Sequence, residues 1–138
     1  MLDSKSASNN GLHGKLCLLI DDDEDDKEIF CIALSEIDPG IRCHTAIDAI
    51  EALNLLKDPS FTPDYIFLDL NMPLMSGKEC LVEIKKRPHL RDTPVIIFST
   101  SASQKDMQDT HDLGAASFIT KPPLISTLTK RLREVLRG

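Results

Sequence analysis

At 138 residues with 41% apolar side chains, the chain suffices for one domain that buries a core without help from disulfides or a structural metal. A net charge of −6 with no basic stripe argues against nucleic acid as a direct partner. No apolar run is long enough to span a bilayer and residues 1–15 hold no signal-peptide block, so a cytoplasmic protein with no membrane contact is expected.

The first segment, 1–14, is rich in Ser, Asn and Gly and reads as a flexible leader ahead of a single domain over 15–138. From Lys15 onward two patterns take turns. Short apolar runs of strand character fall at Leu16–Ile20, Arg42–Ala46, Tyr65–Leu70, Val95–Ser99 and Phe118–Thr120.

Segments with helical spacing lie between them. The first is expected from about Asp23, burying Ile29, Phe30, Ala33, Leu34 and Ile37, and ending at Pro39-Gly40. The second carries Ile50, Leu53 and Leu56 and stops at Asp58-Pro59. The third starts near Gly77, buries Leu81 and Ile84, and stops before Pro88. The fourth, about Ser103 to Leu113, has only a weak apolar stripe of Met107 and Leu113 and ends at Gly114. The last runs from about Leu124 to Leu136 with Leu128, Leu132 and Val135 on one side.

Strands alternating with helices predict an α/β fold: a five-stranded parallel sheet with helices on both faces. The unbroken apolar run Tyr-Ile-Phe-Leu marks the third strand as central. Right-handed crossovers make the flavodoxin-like order 2-1-3-4-5 the expected one.

The four cysteines, Cys17, Cys31, Cys43 and Cys80, are widely spaced among apolar neighbours with no CxxC pair. His13, His44, His89 and His111 form no ligand cluster with them. The cysteines therefore read as small buried hydrophobes, with neither a disulfide nor a zinc role.

In such a sheet, sites form at the carboxyl ends of the strands. The first strand ends in Asp21-Asp22, the third in Asp69, the fourth in Ser99-Thr100 and the fifth in Lys121. Crowded carboxylates need a cation, and their hard oxygens suit Mg²⁺, which shares its shell readily with water and phosphoryl oxygens. A lysine and a hydroxyl beside them would hold further phosphoryl oxygens, and a central carboxylate could attack phosphorus. No GxxxxGK[ST] or GxGxxG is present, so the phosphoryl donor is expected to be something other than a tightly bound nucleotide.

Four stretches carry a family resemblance: Leu-Leu-Ile-Asp-Asp at 18–22, Phe-Leu-Asp-Leu-Asn-Met-Pro-Leu-Met-Ser-Gly at 67–77, Pro-Val-Ile-Ile-Phe-Ser-Thr at 94–100, and Gly-Ala with Phe-Ile-Thr-Lys-Pro within 114–122. From Lys15 to about Leu136 the chain resembles the receiver domain of two-component response regulators, of the chemotaxis-regulator-like single-domain type. The resemblance implies Asp69 as phosphoacceptor, served by a sensor histidine kinase or a histidine phosphotransfer protein. It implies Mg²⁺ bound directly by Asp22 and Asp69, through water by Asp21, and by the backbone carbonyl of Asn71. Ser99 and Lys121 would hold the phosphoryl group, Phe118 would turn inward when Ser99 moves, and the Lys121–Pro122 peptide would be cis. The changed face would comprise the fourth helix, fifth strand and fifth helix, offered to a downstream protein target or used in onward phosphotransfer.

Plainer readings stand beside these. Asp23 to Asp26 suit the first turn of a helix, where negative charge meets the helix dipole, and read as solvated. Phe118 packs well as core filler in any case. Pro123 and Leu124 depart from the usual residues after Lys-Pro. The polar segment Arg87–Thr93 is similar to that of single-domain regulators serving phytochrome-like kinases, some of which dimerise, so a monomer or weak homodimer is expected. A haloacid-dehalogenase-type phosphatase also uses a strand-ending Asp with Mg²⁺, but it needs a second Asp where this chain has Asn71. A receiver that only binds partners, without phosphorylation, is the third possibility. With no output segment attached to the domain, the signal is expected to leave through protein contacts, and catalysis to be at most slow self-phosphorylation and self-hydrolysis.

Overall fold

The computed structural model describes residues 11–137; residues 1–10 of the expected leader and Gly138 lie outside them. Among the described residues are five strands: β1 (Leu16–Ile20), β2 (Arg42–Ala46), β3 (Tyr65–Leu68), β4 (Val95–Ser99) and β5 (Ser117–Thr120). They form one parallel sheet in the order β2-β1-β3-β4-β5. This is the flavodoxin-like 2-1-3-4-5 arrangement expected from the alternation.

Five helices cover the sheet: α1 (Glu24–Ile37), α2 (Ala49–Leu56), α3 (Gly77–Lys85), α4 (Gln104–Asp112) and α5 (Ile125–Arg137), with a 3₁₀ turn at Pro88–Leu90. Strand residues alternate between two cores, as the period of two requires. Leu18, Ile20, Ile66, Leu68 and Ile97 meet α2 and α3 on one face. Cys17, Leu19, Phe67, Ile96 and Phe98 meet α1 and α5 on the other, where the Phe30 ring stands 4.8 Å from Phe67 and 5.4 Å from Phe98.

The helix starts are set by short polar caps. The side chains of Asp23, Asp48, Ser76 and Ser103 each accept a backbone N–H from the first turn of α1, α2, α3 and α4. At α3 the Glu79 side chain also accepts the Ser76 amide, completing a capping box.

Several expectations are corrected. Ile29 and Ile50 face outward rather than into the core. The inward stripe of α1 is Phe30, Ala33 and Leu34, and that of α2 is Ala49, Ala52, Leu53 and Leu56; a residue one position off either stripe lies about 100° around the helix. Ile37 and Val135 are half-buried, and Leu136 takes the inward place near the end of α5. Met107 is exposed too, leaving Thr110 as the buried residue of α4.

Residues 11–14 are folded onto the domain rather than belonging to a leader. Leu12 is buried in the α1/α5 core, the Gly14 amide donates to the Gly40 carbonyl at 2.9 Å, and Arg42 Nε donates to the Gly14 carbonyl. His13 Nδ1 lies 3.2 Å from the buried Asp38 carboxylate.

Cys31 and Cys43 form a disulfide, contrary to their reading as isolated thiols. Cys43 is in register with Cys17, whose side chain points to the α1 face, and the reversal at Pro39-Gly40 brings α1 back over β2. Cys17 and Cys80 remain buried thiols; burial pushes both up to about 12.

Candidate functional site

The sheet carries its hydrogen bonds one residue past the strands, and this places the polar groups. The Asp21 amide donates to the Ala46 carbonyl, the Asp69 amide to Ile20 at 3.0 Å, and the Lys121 amide to Ser99 at 2.9 Å. Each backbone is thereby fixed at the carboxyl edge of its neighbour. The ends of β1, β3, β4 and β5 meet at one rim.

Asp21 is fully buried. Its Oδ1 accepts the Asp23 amide at 3.0 Å, and its Oδ2 makes no aligned hydrogen bond, although the Lys121 ammonium stands 2.8 Å away as an ion partner. Desolvation raises its pKa to about 6 against the opposing pull of Lys121. Asp69 is buried as well; its Oδ1 accepts the exposed Asn71's amide at 3.3 Å and its Oδ2 faces Lys121 Nζ at 3.4 Å. Asp22 is exposed at the mouth.

Asp21, Asp22 and Asp69 each offer a carboxylate oxygen, all within 4.8 Å of one another. These hard donors, with one buried oxygen lacking a hydrogen bond, fit a small divalent cation such as Mg²⁺.

Lys121 is the counter-charge. For its ammonium, burial alone lowers the pKa, but Asp21 and Asp26 outweigh burial and hold it above its ordinary value. The ammonium also lies 5.3 Å from the Phe98 ring centroid, within cation–π range. No cis peptide occurs among the described residues, so the Lys121–Pro122 bond is trans, contrary to expectation. Trans remains the preferred isomer even before proline, and Lys121 reaches the carboxylates with it.

Ser99 closes β4 fully buried, its Oγ accepting the Ser101 amide at 3.3 Å. Phe118 is half-buried on β5, in register with Ile97, and packs against the α2/α3 core. The rim thus gathers Asp21, Asp22, Asp69, Ser99 and Lys121, with Asn71 beside Asp69 and Phe118 on the adjoining strand.

Asp26 was missed. It reads as a solvated helix-start acid, yet its Oδ2 accepts from Lys121 Nζ at 2.7 Å. Helix α1 springs directly from the rim, so a residue in its first turn stays near the site, but the unbroken acid run Asp21–Asp26 hides which side chain turns inward.

A groove of about 500 Å³ opens at the opposite end of the sheet, lined by Lys15, Asp64, Tyr65 and Ile96 among others. Its Asp64 already accepts the Leu16 amide at 2.8 Å, so the convergent chemistry lies at the carboxyl rim instead.

A flavodoxin-like sheet of this order, with an acidic pocket and a lysine at its carboxyl rim, is the fold class of receiver-like domains. The chain belongs to the response regulator receiver domain family, whose model matches residues 17–133. It is therefore the receiver domain of a two-component response regulator, and the dehalogenase reading is set aside.

Among curated relatives, response regulator Rcp1 of Synechocystis sp. is 30% identical over 88% of this chain and 86% of its own length. The phosphate regulon regulatory protein PhoB of Escherichia coli is 30% identical over 87% of this chain but 51% of its own. The chain spans 38% and 53% of two longer regulators it matches, ycf29 of Pyropia yezoensis and PrrA of Mycobacterium leprae. Among solved structures, the phosphorylated cyanobacterial phytochrome response regulator RcpA aligns with a TM-score of 0.78 at 32% identity, covering 88% of this chain and 90% of that one. The Mn²⁺-bound form of Rcp1 aligns at 0.76 and 27%, covering 88% and 91%.

Proposed function

We propose that Asp69 is the phosphoacceptor, taking a phosphoryl group from a phosphohistidine on a sensor histidine kinase or histidine phosphotransfer protein. The observation that carries this is the convergence of buried Asp21 and Asp69, from the ends of adjacent strands, on the largely buried Lys121 ammonium from the end of β5. A carboxylate oxygen of Asp69 attacks phosphorus, the bond from phosphorus to the histidine nitrogen breaks, and the nitrogen keeps the electron pair. Hydrolysis reverses the state: water attacks phosphorus, the Asp69 oxygen leaves as carboxylate, and inorganic phosphate departs.

Asp21, Asp22 and Asp69, with the Asn71 carbonyl, would hold Mg²⁺, which when bound neutralises charge on the phosphoryl oxygens. Lys121 pairs with one of those oxygens and Ser99 donates its hydroxyl to another. The acyl phosphate carries about two negative charges where the carboxylate carried one, so both groups are drawn toward it. Ser99 then vacates space that Phe118 fills, and the face of α4, β5 and α5 changes shape as a two-state population shift. That face meets a downstream protein or serves onward phosphotransfer, and the free domain is a monomer or weak homodimer. The relatives described as Mn²⁺-bound and as phosphorylated are of the chemistry proposed here.

Intact mass after incubation with acetyl phosphate tests this. One added phosphoryl group is expected, dependent on Mg²⁺ and absent in Asp69→Asn. An equal adduct in the variant would move the acceptor to another carboxylate. No adduct where a control receiver is labelled would leave only the partner-binding module.

A further inference from the structure

We propose that Asp26 is a positioning residue for Lys121: it holds the ammonium in the unphosphorylated state and competes with the phosphoryl group for it. The proposal rests on the reading of Asp69 as phosphoacceptor. Lys121 offers three N–H donors, and three carboxylates surround it, Asp26 at 2.7 Å, Asp21 at 2.8 Å and Asp69 at 3.4 Å. The contact to Asp69 is the longest and passes to the phosphoryl group that Asp69 carries; for the ammonium to move out to that group, the shorter contact to Asp21 or to Asp26 has to lengthen. Asp21 is wholly buried and no water can take the place of Lys121 beside it, whereas the Asp26 side chain is 32% exposed and exchanges Lys121 for water at least cost.

Asp26 thus gives way. Its negative charge favours the unphosphorylated state twice over, by occupying Lys121 and by repelling the dianion. Because Asp26 sits in the first turn of α1, 95 residues before Lys121 in sequence, releasing it also unties that helix from the end of β5.

The test uses beryllofluoride, a non-hydrolysable stand-in for the phosphoryl group, titrated at saturating Mg²⁺ and followed by ¹⁹F NMR of the bound species. Asp26→Asn is expected to tighten the apparent Kd about two- to fivefold, the range a half-exposed ion pair supports. Asp25→Asn removes the same charge from the neighbouring exposed position and is expected to shift it less than Asp26→Asn does. Asp26→Glu restores the charge and is expected to return the Kd toward wild type. In a Lys121→Ala background the effect of Asp26→Asn should shrink to that of Asp25→Asn, because the share that runs through Lys121 is gone and only general charge repulsion is left.

Equal shifts in Asp25→Asn and Asp26→Asn would reduce the effect to general charge and overturn the proposal. So would weaker binding by Asp26→Asn, or an undiminished effect without Lys121. Failure of the wild type to bind the mimic would instead overturn the phosphoacceptor reading, and this inference with it.

Discussion

Lys78 near the start of α3 and Asp106 in the first turn of α4 lie 2.7 Å apart and tie the two helices together. Lys78 also reaches Asp109 at 2.9 Å, and Ser101 donates its hydroxyl to Asp106. With Thr110 as its buried residue, α4 is held largely by charge just beyond Ser99. The hydrogen bonds from Lys78 and Ser101 pull the Asp106 carboxyl down to about 2.

Because the folded value lies below the ordinary one of 3.8, the Asp106 contribution is complete above about pH 4 to 5 and fades as pH falls through 2. Lys78→Ala is therefore expected to lower Tm by a few degrees at neutral pH, with the gap to wild type closing toward pH 2. Amide hydrogen exchange in α4 should accelerate in the same variant. A Tm gap that stays constant down to pH 2 would show that the link is not electrostatic.

The Cys31–Cys43 disulfide closes a short loop, the two positions standing 12 apart in sequence, and joins α1 to the edge strand β2. Chain-entropy reasoning assigns such a loop about 3 kcal/mol. Cys43→Ser, or reduction, is expected to lower the denaturation free energy by up to that amount. In the oxidised native protein, thiol reagents should label neither Cys17 nor Cys80, both buried with thiols held near 12. Labelling of two cysteines before denaturation would mean that the bridge is open.

Gly77 begins α3 beneath the acceptor, and a Cβ there would run into the backbone carbonyl of Asp69 and the Cα of Leu70. Neither neighbour is a flexible side chain that can swing away. Gly77→Ala is expected to cost about 1–3 kcal/mol by guanidinium denaturation, as overpacking does. Displacing Asp69 should also slow labelling by acetyl phosphate. Wild-type stability and labelling together in this variant would show that the backbone yields freely.

Much of the architecture was legible in order along the chain. Strand runs such as Leu16–Ile20 and Val95–Ser99 are as expected, and helix limits fall at the capping and breaking residues. The rim residues were legible for the same reason: Asp21, Asp69, Ser99 and Lys121 each follow an apolar run, and a parallel sheet brings all strand ends to one side. A local pattern was sufficient because burial and strand period act on neighbours in sequence.

What the tertiary structure decided depends on neighbours in space. Which apolar residues of α1 face inward was set by how the helix settles on Phe67 and Phe98: Phe30 is buried as expected, while Ile29 faces out. The pairing of Cys31 with Cys43 and the packing of Leu12 likewise follow from how elements dock. Asp26 is the sharpest case. Its sequence context is a run of like acids that differ little in propensity, and only the approach of Lys121 across the sheet singles one out. Charge pairing over such a separation is a property of the packed fold, because Coulomb attraction depends on distance through space and on burial.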